Sequence, residues 1–254
     1  DFPTPDHIVE AAIAAARAQG VTVVLTSGRP LEGMTPYLAE LGLTGQDDYV
    51  ICYNGALVQQ VADQRILRSQ LLTGSDASAI AHLASELGVN VHGFSVRQGL
   101  ISPRVSTYTE HESQLIKMPI NLVDFATLPA DEQIMKVMMI DPEPQLSRAI
   151  AQLPAELYER YTVVRSSPYF LEFMNKRSNK GTGVAALAEH LGLTAHQVIA
   201  VGDAGNDRHM IEYAGLGVAM GNATDEIKAL AQHTTARNDE DGVARVIEQF
   251  ILNA

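Results

Sequence analysis

Three short stretches carry the side chains able to do chemistry on a charged substrate. Thr26-Ser27-Gly28-Arg29 places two hydroxyls, a glycine and a guanidinium directly after the apolar run Val21 to Leu25. Hydroxyls and free backbone N–H groups at a strand end, with a glycine to permit a tight turn, make an anion cradle. Lys180 sits in Asn179-Lys180-Gly181-Thr182-Gly183, just before a helical pattern. There the backbone N–H groups, the helix dipole and the ammonium would all favour a phosphate. The third stretch is Gly202-Asp203 followed by Gly205-Asn206-Asp207, after the apolar Val198 to Val201. Two carboxylates four residues apart, with small residues between them, can converge on one hard cation. Each stretch also has an ordinary reading: a strand-to-helix turn, a solvated lysine, an Asp-capped helix start. The glycines from Gly215 to Gly221 match a dinucleotide motif only weakly, because the second half of that run is apolar strand.

These residues need elements to bring them together. The chain reads as a helix from Thr4 and Pro5 to Gly20, with Ile8, Ala11, Ala12 and Ala15 as its buried stripe. A buried strand follows at Val21 to Leu25, a helix from about Leu31 to Leu41, and a strand at Tyr49 to Cys52. Asn54-Gly55 is a hairpin signal between YVICY and ALVQQ. Strand–helix alternation returns near Asn179 and runs to a helix ending near Leu252, with Asn222 and Thr224 as caps for the helix before Ala231. Between them the order changes to helix at Ser75–Gly88, strand at Val89–Phe94, an irregular polar tract over 95–130, strand at Gln133–Ile140, helix at Gln145–Leu153 and two further strands. That order predicts a separate α+β module inserted in an α/β chain: core over 1–67 and 175–254, insert over 68–174. In an open doubly wound sheet, strand ends cluster on one edge, so the three stretches are expected to meet there around Mg²⁺ and a phosphate.

Composition narrows the partners. The 254 residues include 30 acidic and 18 basic ones, a formal net charge of −12, which disfavours nucleic acid. The lone cysteine, Cys52, excludes an internal disulfide and fits a reducing compartment. No apolar run reaches membrane-spanning length and no signal peptide opens the chain, so no membrane partner and a cytoplasmic setting are expected. Oligomeric state is not readable from these features.

The order Thr26-Ser27-Gly28-Arg29, Asn54-Gly55-Ala56, Lys180-Gly181-Thr182 and Gly202-Asp203-x-x-Asn206-Asp207 resembles the haloacid dehalogenase (HAD) superfamily, and more narrowly its Cof-type phosphatases. The resemblance runs the length of the chain. It implies an α/β fold, a doubly wound parallel-sheet core with an inserted α/β cap of the C2 type that closes over substrate. It also implies Mg²⁺-dependent hydrolysis of small phosphorylated metabolites, sugar phosphates foremost, through an aspartyl-phosphate. Carried over by position, Thr26, Ser27 and Gly28 would bind the transferring phosphoryl group, and Lys180 would neutralise its charge. Asp203 would bind Mg²⁺, Asn206 would hold phosphate, and Asp207 would support the metal's water shell. His92, Arg104, Tyr108, His111 and Glu112 are candidates on the insert for substrate choice.

One departure matters. The family opens with a buried strand ending in Asp-x-Asp-Gly-Thr, whose first Asp is the nucleophile and whose second is the general acid–base. Here Asp1 and Asp6 lie at a helix start, and the motif is absent. The expectation is that a strand and turn of roughly 15 residues would precede Asp1, leaving the chain inactive as it stands and its sheet open at the centre. Two other readings compete: a phosphometabolite-binding or regulatory protein of the same fold, and a phospho-acceptor receiver domain. The inserted module and the GDxxND spacing speak against the receiver.

Overall fold

The computed structural model describes residues 7–253. The predicted helix start at Thr4 and Pro5, and Asp1 and Asp6, lie outside the described residues. Contacts divide the chain into two compact units, Asp1–Ser69 with Asn179–Ala254, and Gln70–Ser178.

In the first unit the helix His7–Ala18 stops before Gly20, which takes a left-handed φ of 84°. Its buried residues are Ala12, Ile13 and Ala16, while Ile8 is exposed. The predicted stripe is therefore rotated: in so alanine-rich a helix, periodicity leaves the face ambiguous, and packing on Ala244 and Ile247 decides it. Two sheets follow, in keeping with a core expected to be open at its centre. Leu25–Thr26 pairs in parallel with Tyr49–Cys52, which continues through antiparallel Leu57–Gln60 to Ile66–Ser69. The second sheet is parallel throughout: Ile199–Gly202, Leu216–Ala219 and His233–Thr234. Leu25–Thr26 and Ile199–Gly202 are each the edge of their sheet. The predicted strand Val21 to Leu25 is thus a ladder only at Leu25 and Thr26, opposite Val50 and Ile51. The helix predicted from Leu31 is shortened to Thr35–Glu40, with Pro36 in its first turn. Residues ahead of it form tighter turns, Gly33 N–H to Pro30 O and Met34 N–H to Leu31 O.

The second unit is one mixed sheet of seven strands. Gln133–Ile140 lies between Asn90–Ser95 and Phe170–Asn175, antiparallel to both. One face carries Val91, Val137, Met139, Leu171 and Phe173, packed with Ala77, Ile80 and Ala84 of the helix Gly74–Glu86. The opposite face alternates into His92, Phe94, Lys136, Met138 and Glu172. The tract 95–130, predicted irregular, contains the strand Gly99–Ser102, the helix Thr107–Ile116 and the short strand Asn121–Leu122. That helix is capped by Ser106, and its buried residues are Thr109, Glu112 and Ile116. Two of those three are polar, so the hydrophobic periodicity that announces a helix is missing from its buried face.

Candidate active site

Every residue expected at a phosphate site belongs to the first unit. The helix there, Lys180–His190, takes in Lys180 as its first residue, where the pattern predicted a helix only after Gly183. Asn179 caps it by accepting the Thr182 N–H at 2.9 Å, while its own N–H donates to the Thr182 hydroxyl at 3.2 Å. Two glycines let the helix come close. A Cβ on Gly181 would lie 2.5 Å from the His209 carbonyl oxygen, and one on Gly183 would lie 2.8 Å from Ile51 Cγ2. Close approach, not turn geometry, is what the GTG sequence provides.

Lys180 Nζ donates to Asp207 Oδ1 at 2.6 Å, and both side chains are buried. The other oxygen of Asp207 accepts the backbone N–H groups of Asp203 at 2.9 Å and Ala204 at 3.1 Å. Asp207 therefore ties Lys180 to the turn after Ile199–Gly202. Gly202 is needed there, since a Cβ would lie 2.5 Å from Asp207 Cβ. With both oxygens engaged within the protein, Asp207 is placed to hold the turn and the lysine.

Asp203 remains solvent-accessible on that turn. Partial burial, and then the negative charge of Asp207, hold its carboxyl above the usual carboxylate range, with Lys180 opposing. Such a carboxylate gains from an added cation. Asn222, expected as a helix cap, instead donates Nδ2 to Asp203 Oδ2 at 3.3 Å, and Thr224 alone caps the helix Asp225–Leu230. Among the described residues no group of three or more His, Cys, Asp or Glu side chains is placed to hold a metal. Among the described residues of that turn, the carboxylate open to a hard cation is that of Asp203. That suits Mg²⁺, which takes one or two protein carboxylates and completes its octahedron with water and phosphate oxygens.

At the end of the other sheet, Ser27 is buried, and its Oγ accepts the Arg29 N–H at 3.2 Å. Thr26 Oγ1 is buried with no hydrogen-bond partner among the described residues. A buried hydroxyl without a partner is the exception in a folded chain and calls for an explanation. Gly28 lies against Asn54, whose Nδ2 would be 3.1 Å from a Cβ there. Asn54 Oδ1 in turn accepts Asn206 Nδ2 at 3.1 Å, across 152 residues of sequence. Thr26, Ser27 and Gly28 thus connect through Asn54 to Asn206, which shares its turn with Asp203, Asp207 and the Lys180 ion pair. The sequence reads Asn54 as half of a hairpin turn and as part of the Asn54-Gly55-Ala56 stretch of the family resemblance, with no role at the site. The signal that reading passes over is an Asn-Gly pair between two buried strands, where a solvent-facing turn would be usual.

The candidates on the insert have local roles in the second unit. His92 is fully buried, with Nε2 3.2 Å from Met138 Sδ, and burial and then the nearby Lys136 charge push its pKa down to about 3. Arg104 donates to Asn90 Oδ1 at 2.6 Å, Tyr108 stacks on Tyr169 at 4.8 Å, His111 is edge-on to Tyr169, and Glu112 is buried.

Comparison with known proteins bears on the same residues. A family profile described as haloacid dehalogenase-like hydrolase matches residues 5–247. The Bacillus subtilis (strain 168) protein named "Putative phosphatase YxeH" is 40% identical over 246 residues, 96% of this chain and 91% of its own. From the same organism, 5-amino-6-(5-phospho-D-ribitylamino)uracil phosphatase YitU is 28% identical, over 91% of this chain and 85% of its own. A haloacid dehalogenase-like hydrolase from Bacteroides thetaiotaomicron, solved as a crystal structure, superimposes with a TM-score of 0.83 at 29% identity, covering 96% of this chain and 92% of the other.

Proposed function

The chain belongs to the haloacid dehalogenase-like hydrolase family, and on that premise we propose that it provides the phosphate- and metal-binding half of a phosphatase site for small phosphorylated metabolites. The observation that carries this is the buried Lys180–Asp207 pair, 2.6 Å long, on the same turn as an accessible Asp203 whose carboxyl is raised. Burying a lysine and an aspartate is costly unless the pair is closely hydrogen-bonded and its remaining capacity is met, as that of Asp207 is here. The relatives point the same way: two carry phosphatase names, and one is named for a phosphorylated ribitylaminouracil.

In this reading Thr26 Oγ1, the backbone of Ser27 and Gly28, and the Asn206 amide donate hydrogen bonds to the phosphoryl oxygens. Lys180 offsets their negative charge from a water-poor position, where a fixed cation acts more strongly than in bulk solvent. Asp207 holds Lys180 and the 203–204 amides in register. Asp203 would hold Mg²⁺, which would supply Lewis-acid stabilisation of the phosphoryl charge when bound. The family reaction breaks the P–O bond of the ester by attack of an aspartate, releasing the alcohol. Water then attacks the acyl phosphate to release phosphate and regenerate the carboxylate. The Asp-x-Asp-Gly-Thr motif that carries this aspartate does not occur in the 254 residues.

The second unit, Gln70–Ser178, we assign as the cap that selects the alcohol part of the ester, with sugar phosphates as the first class to test. A cytoplasmic setting suits the single, buried Cys52. A net charge of −12 leaves nucleic acid an unfavourable partner.

The test is hydrolysis of p-nitrophenyl phosphate across a Mg²⁺ titration, by the 254-residue chain and by the same chain extended with an Asp-x-Asp-Gly-Thr strand at its N-terminus. The extended protein should turn over only with Mg²⁺, and the chain alone should not. Phosphate binding without turnover in the extended, folded protein would replace the phosphatase with a phosphometabolite-binding protein.

A further inference from the structure

The turn between the strands Tyr49–Cys52 and Leu57–Gln60 belongs to a motif that the proposed chemistry leaves unused. Tyr53 and Asn54 are both left-handed, with φ of 49° and 53°, and both are buried. Asparagine tolerates that region and tyrosine does not, so two successive residues are held there only because their surroundings impose it. Those surroundings are parts of the site. Asn54 N–H donates to Ser27 O at 2.9 Å, and Tyr53 N–H donates to Arg29 O at 3.2 Å. Gly55, with φ 92°, packs so closely on the start of the Lys180 helix that a Cβ would lie 2.0 Å from the Asn179 carbonyl oxygen. The Asn54 side chain reaches Asn206 at 3.1 Å on one side and lies against Gly28 on the other. A single turn therefore touches the hydroxyl cradle, the lysine helix and the Asp203–Asp207 turn.

We propose that Asn54 is a positioning residue for phosphate: its left-handed backbone docks the Ser27–Gly28 turn, and its carboxamide orients Asn206 toward the same anion. The inference rests on the phosphate site proposed above. It accounts for features that a plain hairpin does not need. A solvent-facing two-residue turn would satisfy the strands without burying an amide. An apolar residue at position 54 would leave the Asn206 amide without its acceptor and the left-handed backbone without a tolerant side chain.

The experiment is calorimetric titration of inorganic phosphate, with Mg²⁺ present, into the 254-residue chain. The set is the unaltered chain, Asn54→Gly, Asn206→Ala, the double variant and Lys180→Ala, each with its melting temperature recorded. Glycine adopts the φ of position 54 freely, so Asn54→Gly removes the carboxamide and spares the turn. It should weaken phosphate binding by about threefold to tenfold, the worth of one hydrogen bond. The double variant should bind no more weakly than Asn206→Ala alone, because Asn54 acts through Asn206. Asn54→Gly at unaltered affinity, or losses that add in the double variant, would overturn the proposal. The parent reading fails separately. If the unaltered chain does not bind phosphate, or Lys180→Ala binds as well as it does, the phosphate site is wrong and the inference falls with it. If Lys180→Ala loses binding while Asn54→Gly keeps it, the inference alone is overturned. A second measurement needs no variant: the side-chain amide protons of Asn206 should exchange slowly with solvent. Exchange as fast as that of an exposed asparagine would overturn the proposal too.

Discussion

Each unit buries one lysine against one carboxylate, and the two pairs are built differently. In the first unit Lys180 meets Asp207 at 2.6 Å, and the second oxygen of Asp207 accepts two backbone N–H groups. In the second unit Lys136 meets Glu172 at 3.3 Å on the face of a sheet, and Glu172 Oε2 has no partner among the described residues. Lys136 also lies over the Phe94 ring, 5.1 Å from its centre. The first pair sits at strand ends, where free N–H groups are available. The second sits in mid-strand, where ladder bonds have already used them. Buried ion pairs stabilise a fold only when their remaining hydrogen-bonding capacity is met. The first pair is therefore read as part of a working turn, and the second as a polar set on a mostly apolar face.

The largest effect expected from this difference is on stability. Asp207→Ala strands a buried lysine and two backbone N–H groups, and should cost about 3–5 kcal/mol. Lys136→Met leaves Glu172 without its cation but frees no backbone group, so its cost should be at or below the low end, about 3 kcal/mol. Urea unfolding of both variants compares them, and an equal or larger loss for Lys136→Met breaks the comparison.

Next comes the acid limb of stability. Burial, and then the nearby Lys136 charge, push the His92 pKa from its ordinary value of 6.5 down to about 3, so the folded state excludes its proton. Its contribution is complete above pH 6.5 and is lost as pH falls toward 3, on the order of 5 kcal/mol in all. His92→Gln should flatten that decline between pH 6.5 and pH 3 in urea midpoints, and an unchanged slope would place the acid sensitivity elsewhere.

On activity, Lys180→Ala in the protein extended with the aspartate strand should lose roughly 2–4 kcal/mol of transition-state stabilisation, a 30- to 1000-fold fall in kcat/KM. Lys136→Met, assayed below its melting temperature on inorganic phosphate binding, should leave affinity unaltered. A fall in both would mean that the two pairs serve one site.

The smallest effect is at Asp203. Its folded carboxyl is raised, so the folded state binds the proton more tightly than the unfolded chain does. That stabilisation is complete at low pH and is lost as pH rises through the folded carboxyl's range. In metal-free buffer at pH 7, Asp203→Asn should therefore melt slightly higher than the unaltered chain, and at pH 3 it should melt at the same temperature. With Mg²⁺ the order should reverse. A lower melting point in metal-free buffer at pH 7 would show that Asp203 is structural.

Much of the fold was legible residue by residue. Buried strands such as Tyr49–Cys52 and Gln133–Ile140 fall where runs rich in β-branched and large apolar residues predict them. The signals are local, and nothing distant competes with them. The helix Thr107–Ile116 escaped because two of its three inward positions are Thr109 and Glu112, residues that only a polar neighbour makes acceptable inside. The first helix was legible as a helix but not in orientation, because alanine on every side offers no stripe until Ala244 and Ile247 select one.

The sequence by itself determined the chemistry-bearing types: hydroxyls after one strand, a lysine at a helix start, and two carboxylates after another strand, in an order that resembles one hydrolase family. Composition and short-range spacing are enough for that, because turns, caps and strand ends are set by neighbouring residues. Tertiary structure alone decided which side chains meet. It gave Asp207 to Lys180 across 27 residues and Asn54 to Asn206 across 152, and it left Asp203 open to solvent. Such pairings depend on sheet register and helix packing over the whole unit, and on the close approach that Gly55, Gly181 and Gly202 permit. Free energies of that kind belong to the assembled core, not to any segment read along the chain.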